Sequence, residues 1–250
     1  MKLGSPIATG NTAILYSYGK YVCKVFHDHT SKDEAAREAN KQHQVYEAGL
    51  PVPKIIDVTQ IAGKQAIVME RVKGKTLGSL LLEDKSRARD YLSLSVDVQL
   101  QIHEKKIPSF ERMTEKLEHQ ILRAAQVDTQ QKKQLVDTLK SISNEEYLCH
   151  GDYHLFNLLL TDHGVTIIDW VDASIGDRMA DVYRTYLLYS QISHEIAELY
   201  VHLYCQKRGC DKAELFKWAP IVAAARLSEN VSTENPERLL RIVKKASEEK

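Results

Sequence analysis

The hydrophobic pattern of this 250-residue chain changes character once, and that change limits the fold more than any other feature. Up to about residue 72 the apolar residues fall in short β-rich runs; beyond Gly74 they fall at helical spacing. Ala13-Ile14-Leu15-Tyr16-Ser17-Tyr18 and Tyr21-Val22-Cys23-Lys24-Val25-Phe26 flank the turn pair Gly19-Lys20, which predicts a hairpin. A helix is predicted from about Glu34 to Glu47, with Ser31 or Asp33 to cap it and Gly49 and Pro51 to stop it. A second hairpin follows, Lys54 to Val58 and Ala66 to Glu70 about a Gly63-Lys64 turn. Leu92, Val96 and Leu100 then recur on one helical face, as do Leu117, Ile121, Leu122 and Ala125, and Leu135, Leu139 and Ile142. The stretch from Ala180 to Ala246 reads as helical, broken at Gly209 and Pro236. Strands first and helices afterwards, with little alternation, argue against a wound parallel sheet and predict an α+β fold.

One segment inside the helical part breaks the pattern. His150-Gly151-Asp152-Tyr153-His154-Leu155-Phe156-Asn157 precedes two apolar runs, Leu158 to Leu160 and Val165 to Ile168, which flank Thr161-Asp162-His163-Gly164 and predict a further hairpin. An Asp five residues before an Asn, on a loop leading into a strand, suits phosphoryl transfer. The Asp can orient a substrate hydroxyl and accept its proton, and the Asn carbonyl oxygen is a hard ligand suited to Mg²⁺. Asp169, delivered at the end of the second strand and followed by Trp170, is placed to offer a second oxygen to Mg²⁺. The ordered combination is specific where each half alone is not.

These residues, HGD-x-H-x-x-N followed by I-I-D-W, resemble the aminoglycoside phosphotransferase and choline kinase-like branch of the protein-kinase-like fold. The resemblance runs from about residue 5 to about residue 190. It implies an N-terminal nucleotide-binding lobe over 1–72, an antiparallel sheet plus one helix, and a mainly helical catalytic and acceptor-binding lobe over 73–250. It implies ATP and Mg²⁺, with Asp152 as the base and Asn157 and Asp169 on the metal. Lys24 matches the phosphate-binding lysine, and Glu38, 14 residues later, the glutamate that pairs with it. Ala66 to Val72 matches the hinge strand, so Glu70 and Val72 would meet the adenine through main chain and Met69 would border it. His103 matches the histidine that ends the long helix before the catalytic loop, and Gly176-Asp177 with Asp181 resembles the segment after I-D-W. The phosphate-covering loop departs from the protein-kinase pattern. Ala8-Thr9-Gly10-Asn11-Thr12-Ala13 has one glycine, leaving Gly10, Asn11 and Thr12 as the contacts.

Several residues admit a plainer reading. His150 is expected to brace the loop, Asp177 and Asp181 to cap or brace it, and His154 either to touch phosphate or to fill space. His27 and His29 read as turn residues rather than a metal pair. Tyr183, Tyr186, Tyr189, Tyr200 and Tyr204 read as a packed helix face rather than a cation-binding box.

The acceptor is less legible. A polycation would want carboxylates, for which Asp172, Asp177, Glu195, Glu198, Glu229 and Glu234 are candidates, whereas Arg226 would suit an anion. The resulting expectation is transfer of the ATP γ-phosphate to a hydroxyl of a small molecule, whether aminoglycoside, amino alcohol or sugar-like. A protein Ser/Thr kinase-like activity and a non-catalytic nucleotide-binding regulator are the alternatives. The first is disfavoured by the missing Ala-Pro-Glu element and activation segment, the second by the complete Asp152, Asn157, Asp169 set.

Charge and cysteine usage narrow the partners. With 34 Lys+Arg against 34 Asp+Glu the formal charge is zero, which argues against a broad nucleic-acid or membrane footprint. Four cysteines, Cys23, Cys149, Cys205 and Cys210, lack CxxC spacing and argue against a zinc site or disulfide framework. The start of the sequence shows no signal peptide and no run is long enough to span a bilayer, so a cytoplasmic location is expected. Oligomeric state is not legible.

Overall fold

Side chains on a β-strand alternate between two faces, and one central strand uses this to organise the N-terminal part of the chain. The structure, a computed structural model, describes residues 3–10, 12–108, 110–142 and 145–248. By packing it divides into two units, residues 1–83 with 155–172 and residues 84–154 with 173–250. Residues 73–83 and the hairpin after Asn157 thus belong with the first unit rather than with the helical remainder.

In the first unit, strands β1 (Pro6–Thr9), β2 (Ala13–Tyr18), β3 (Tyr21–Phe26), β4 (Ile55–Ile61) and β5 (Lys64–Glu70) form an antiparallel sheet in the order β1-β2-β3-β5-β4. Phe26 on β3 packs with Ala13, Ile67 and with Ala35 and Ala39 of helix α1 (Glu34–Glu47), while Cys23 and Val25 turn to the opposite face with Ile61, Ala66 and Val68. Lys24 shares the parity of Phe26, and so faces α1. Ile67, fully buried, contributes about 1.5–3 kcal/mol by leaving water.

Helix α1 buries Ala35, Glu38, Ala39, Gln42 and Val45, a stripe at helical spacing that includes two polar residues. Gln42 donates to the Pro53 carbonyl at 2.6 Å, which satisfies its burial. Asp33 occupies the N-cap position but makes no side-chain cap bond, because Ser31 (3.0 Å) and Arg37 (3.3 Å) hold its carboxylate. Gly49, at φ 79°, ends the helix as its spacing suggested.

Strand β1 was not anticipated. It takes up Ala8 and Thr9, which the loop expected over 8–13 had included. Strand β6 (Lys75–Thr76) precedes helix α2 (Leu77–Glu83), and pairs with the hairpin β8 (Leu158–Thr161) and β9 (Gly164–Ile167) in the order β6-β8-β9. Strand β6 is too short for any alternation to mark it in sequence.

The second unit is built from helices α3 (Ala88–Ile102), α4 (Met113–Arg123), α5 (Thr129–Ile142), α6 (Arg178–Ile192), α7 (His194–Arg208), α8 (Lys212–Phe216), α9 (Ala219–Leu227) and α10 (Pro236–Glu248). Two three-residue strands, β7 (Tyr147–Cys149) and β10 (Ser174–Gly176), pair antiparallel among them. Leu122 was expected on a core face but is 54% exposed, because Met113, Leu117 and Ile121 define the buried stripe of α4. Gly209, at φ 71°, caps α7, and Pro236 opens α10 rather than interrupting a longer helix. Further breaks, at Ser193 and at 228–235, lacked a glycine or proline at the breaking residue to signal them. Among the described residues no helix is long and apolar enough to cross a membrane.

A Cβ at Gly74 would lie 2.3 Å from the Leu160 carbonyl oxygen on β8, a backbone atom that cannot swing aside. Gly74→Ala is therefore expected to destabilise the protein by about 1–3 kcal/mol in urea unfolding. An unchanged midpoint would show that β6 does not depend on this approach.

Candidate active site

In the first unit, strand parity brings Lys24 to α1. Its Nζ lies 2.6 Å from Glu38 Oε1 and 3.4 Å from Asp169 Oδ1. The Lys24 and Glu38 side chains are 11% and 3% exposed, so the contact is a buried ion pair. Burial works against the charged ammonium, and the two carboxylates outweigh it, leaving the Lys24 pKa above its ordinary value.

The β8–β9 hairpin brings Asn157 and Asp169 to one end. Leu158 pairs with Ile167, and the Ile168 N–H donates to the Asn157 carbonyl at 3.0 Å, so Asn157 stands opposite the residue before Asp169. Asn157 is 7% exposed, whereas the Asp169 side chain is 41% exposed. Asp169 also adopts φ 65°, a left-handed conformation that Asp enters more readily than most residues but still at a cost of about 1–3 kcal/mol. An amide oxygen and an accessible carboxylate, held at one hairpin end, form a hard-oxygen donor set that fits Mg²⁺.

The other residues expected to meet nucleotide lie in the same unit. Gly10 and Thr12 are exposed at the β1–β2 connection, and Asn11 between them is outside the described residues. Met69 and Glu70 end β5, with Val72 two residues on. The Glu70 N–H donates to the Lys54 carbonyl at 2.9 Å, which leaves the Glu70 carbonyl as the group that residue can offer a base.

In the second unit, the loop carrying Asp152 leaves β7 and is gripped by helices at three points. The Gly151 N–H donates to Asp181 Oδ1 at 2.7 Å, Thr185 Oγ1 donates to the Tyr153 carbonyl at 2.9 Å, and the Tyr153 hydroxyl donates to the Ser95 carbonyl at 2.5 Å. Asp181 and Thr185 are four residues apart on α6 and so share a face. Asp181 Oδ2 is held in turn by Gln99 Nε2 at 3.0 Å and by His103 Nε2 at 2.9 Å, a second pair spaced by four, on α3. Tyr204 on α7 meets His103 Nδ1 at 3.0 Å, and Tyr200, four residues earlier, donates to Gln99. His103, Cys149 and Asp181 cluster closely enough to suggest a metal site. Their polar atoms are already engaged, for the Cys149 thiol points to the Tyr147 and Asp177 carbonyls.

The expectations for the bracing residues hold. Asp181 braces the loop, Asp177 caps α6 by accepting from the Met179 N–H at 2.8 Å, and His150 Nδ1 accepts from the Asp152 N–H at 3.3 Å. The five helix tyrosines are all buried, as a packed face requires, yet Tyr200 and Tyr204 also hold the polar brace. Sequence reasoning did not single out Ser95, Gln99, Thr185 or Arg184. For the first three the available signal was spacing, since 95, 99 and 103 on α3 and 181 and 185 on α6 repeat every four residues; Arg184 falls outside these repeats.

Asp152 itself lies beside a histidine and an arginine. His154 Nε2 is 3.4 Å from Oδ2 and Arg184 Nη2 is 3.9 Å from Oδ1. Burial works to raise the carboxyl pKa, but His154, Arg184 and His150 together outweigh it and hold Asp152 well below the usual carboxylate range. Asp177 goes the other way, pushed up to about 6 by burial.

In each unit, then, charged groups that could meet phosphate or a metal ion are held by buried partners. The model of the phosphotransferase enzyme family matches residues 9–216, and the chain belongs to that family. Acyl-CoA dehydrogenase family member 11 of Homo sapiens is 28% identical over 178 residues, 61% of this chain and 23% of that protein. The Gallus gallus protein of the same name is 25% identical over 85% of this chain and 34% of its own length. The chain thus spans between 23% and 34% of these curated relatives. Similar solved structures include an aminoglycoside phosphotransferase in ternary complex with ADP and hygromycin B (TM-score 0.69, 17% identity, 96% of this chain and 92% of that one). A choline/ethanolamine kinase family protein from Mesorhizobium loti (0.62, 13%, 96% and 85%) and an amicoumacin kinase in complex with AMP-PNP, Ca²⁺ and Ami (0.65, 16%, 98% and 88%) are similar as well. The likeness at these identities is one of fold, the kinase-like α+β fold.

Two outcomes follow from the burial of these carboxylates. Asp181→Ala is expected to lower stability by about 3–5 kcal/mol in urea unfolding, since it strands the groups that Asp181 pairs. A loss under about 1 kcal/mol would contradict the brace. Asp177 binds a proton more tightly when folded than the ~3.9 of a free Asp, so its contribution to stability is lost as pH rises from about 4 to about 6. Asp177→Asn, which can still cap, is expected to flatten the stability profile in that window, and an unaltered slope would assign the shift elsewhere.

Proposed function

We propose that the chain is a Mg²⁺- and ATP-dependent phosphotransferase that moves the γ-phosphoryl group of ATP to a hydroxyl of a small molecule. The observation that carries this reading is the Lys24 contact with both Glu38 and Asp169, with Asn157 tied to the same hairpin end, in a chain of the phosphotransferase enzyme family. Lys24 binds the phosphates and Glu38 fixes its position. Asn157 and Asp169 hold Mg²⁺, which supplies charge neutralisation of the phosphates when bound. Glu70 offers its carbonyl and Val72 its N–H to the adenine, Met69 borders the ring, and Gly10, Asn11 and Thr12 lie over the phosphates.

Asp152 accepts the proton of the acceptor hydroxyl as that oxygen bonds to the γ-phosphorus, and the bond to the departing ADP oxygen breaks. Its depressed pKa keeps it ionised at neutral pH, so it can orient the acceptor hydroxyl and take the proton only as the oxygen–phosphorus bond forms. That similar solved structures include complexes with hygromycin B and Ami supports a small-molecule acceptor over a protein one.

Asp152→Asn is expected to lower kcat by about 10²–10⁴-fold with Mg·ATP affinity retained, measured by coupled ADP release and by calorimetry. Turnover within a factor of a few of wild type would remove Asp152 as the base. Asp152 loses its proton well below neutrality, so the acid limb of the wild-type kcat profile, followed down to pH 5, is not expected to show its titration.

A further inference from the structure

The acidic residues that a polycationic acceptor would need are largely engaged. Glu198 is held by Lys212 and Tyr186, Glu234 by Arg226 and Arg238, and Asp177 by the start of α6. What stands at Asp152 is cationic instead. Arg184, 3.9 Å from Asp152, also contacts Glu229 Oε2 at 2.9 Å, and the same oxygen takes Arg226 Nη1. The Glu229 side chain is 25% exposed and the two arginines 9% and 10%. One solvent-reachable carboxylate therefore covers two buried guanidinium groups, and one of those groups stands beside the proposed base.

Resting on the phosphotransferase reading above, we propose that the acceptor is a hydroxy acid, whose carboxylate takes the seat of Glu229 on Arg184 and Arg226 while its hydroxyl reaches Asp152. Two guanidinium groups converging on one oxygen make a carboxylate seat with directional donors. Arg184 adjoins both the seat and Asp152, so a short carbon frame spans from one to the other. A cationic acceptor would carry like charge to Arg184, which rejects it even where its hydroxyl fits. Glu229 is the internal competitor that fills the seat between turnovers. In the step itself the acceptor oxygen bonds to the γ-phosphorus, its proton passes to Asp152, and the bond from that phosphorus to the ADP oxygen breaks. A cluster that served only to join α6 to α9 would show no preference for the charge of the acceptor.

The test uses three-carbon acceptors that share a vicinal diol: glycerate, glycerol and 3-amino-1,2-propanediol, each with Mg·ATP at constant ionic strength, the phosphorylated product being read by phosphorus NMR. The expected result is a kcat/KM for glycerate at least tenfold above that of the amine, a lower KM for glycerate in Glu229→Gln, and a KM raised at least tenfold in Arg226→Gln. Transfer that favours glycerol or the amine overturns the hydroxy-acid assignment and leaves the phosphotransferase reading standing. If no product forms, the melting temperature with Mg·AMP-PNP decides. A rise with glycerate and not with the amine supports the seat, and no rise in wild type or Glu229→Gln overturns it. Loss of Mg²⁺-dependent nucleotide binding overturns the reading beneath it. The wild-type comparison stands even if a variant fails to fold.

Discussion

A carboxylate can be buried only when its oxygens are satisfied, and Asp181 meets that condition while holding the loop that carries Asp152. One oxygen takes the Gly151 N–H, and the other takes Gln99 and His103. These partners are themselves held by Tyr200 and Tyr204, so three helices meet through side chains spaced four residues apart. Burial raises the Asp181 carboxyl and these donors outweigh it, leaving its pKa below the usual value. The stabilisation is therefore complete at neutral pH and is lost only on strong acidification. Asp152, one residue beyond Gly151, takes its position from this brace.

The first unit rests on the same logic with different parts. A lysine on a strand is mobile unless something fixes it, and β3 places Lys24 on the face that α1 covers. Glu38 is the buried charged residue in the stripe that α1 turns inward, and Lys24 is the partner that offsets its burial. The hairpin β8–β9 brings Asn157 and Asp169 together by register alone, with Asp169 held in an uncommon backbone conformation at its end. Lys24 and Glu38 are thus placed by a strand and a helix, and Asn157 and Asp169 by the two ends of a hairpin.

Legibility in the sequence followed the length of each pattern. The hairpin from Ala13 to Phe26 and helix Glu34–Glu47 were readable because alternation and helical spacing persist over several periods. Strands β6, β7 and β10 were not, since two or three residues carry no period. The residues of the candidate site were readable as a motif, but their support was not. Gln99, Thr185 and Ser95 are ordinary polar residues on helices, and only the fold shows that they face inward. The acidic residues considered as a lining for a polycation illustrate the converse. Glu229 and Glu234 look available in sequence and are spoken for by Arg184, Arg226 and Arg238 in the structure.

In the proposed reaction, Asn157 and Asp169 hold a metal ion that carries nucleotide phosphate against Lys24. Calorimetric titration of ATP with and without Mg²⁺, on wild type and Asp169→Asn, tests it most directly. Tight binding only with Mg²⁺ is expected in the wild type, and weak, Mg²⁺-insensitive binding in the variant. Equal affinity with and without Mg²⁺ in the wild type, or an undiminished Mg²⁺ response in Asp169→Asn, would contradict it.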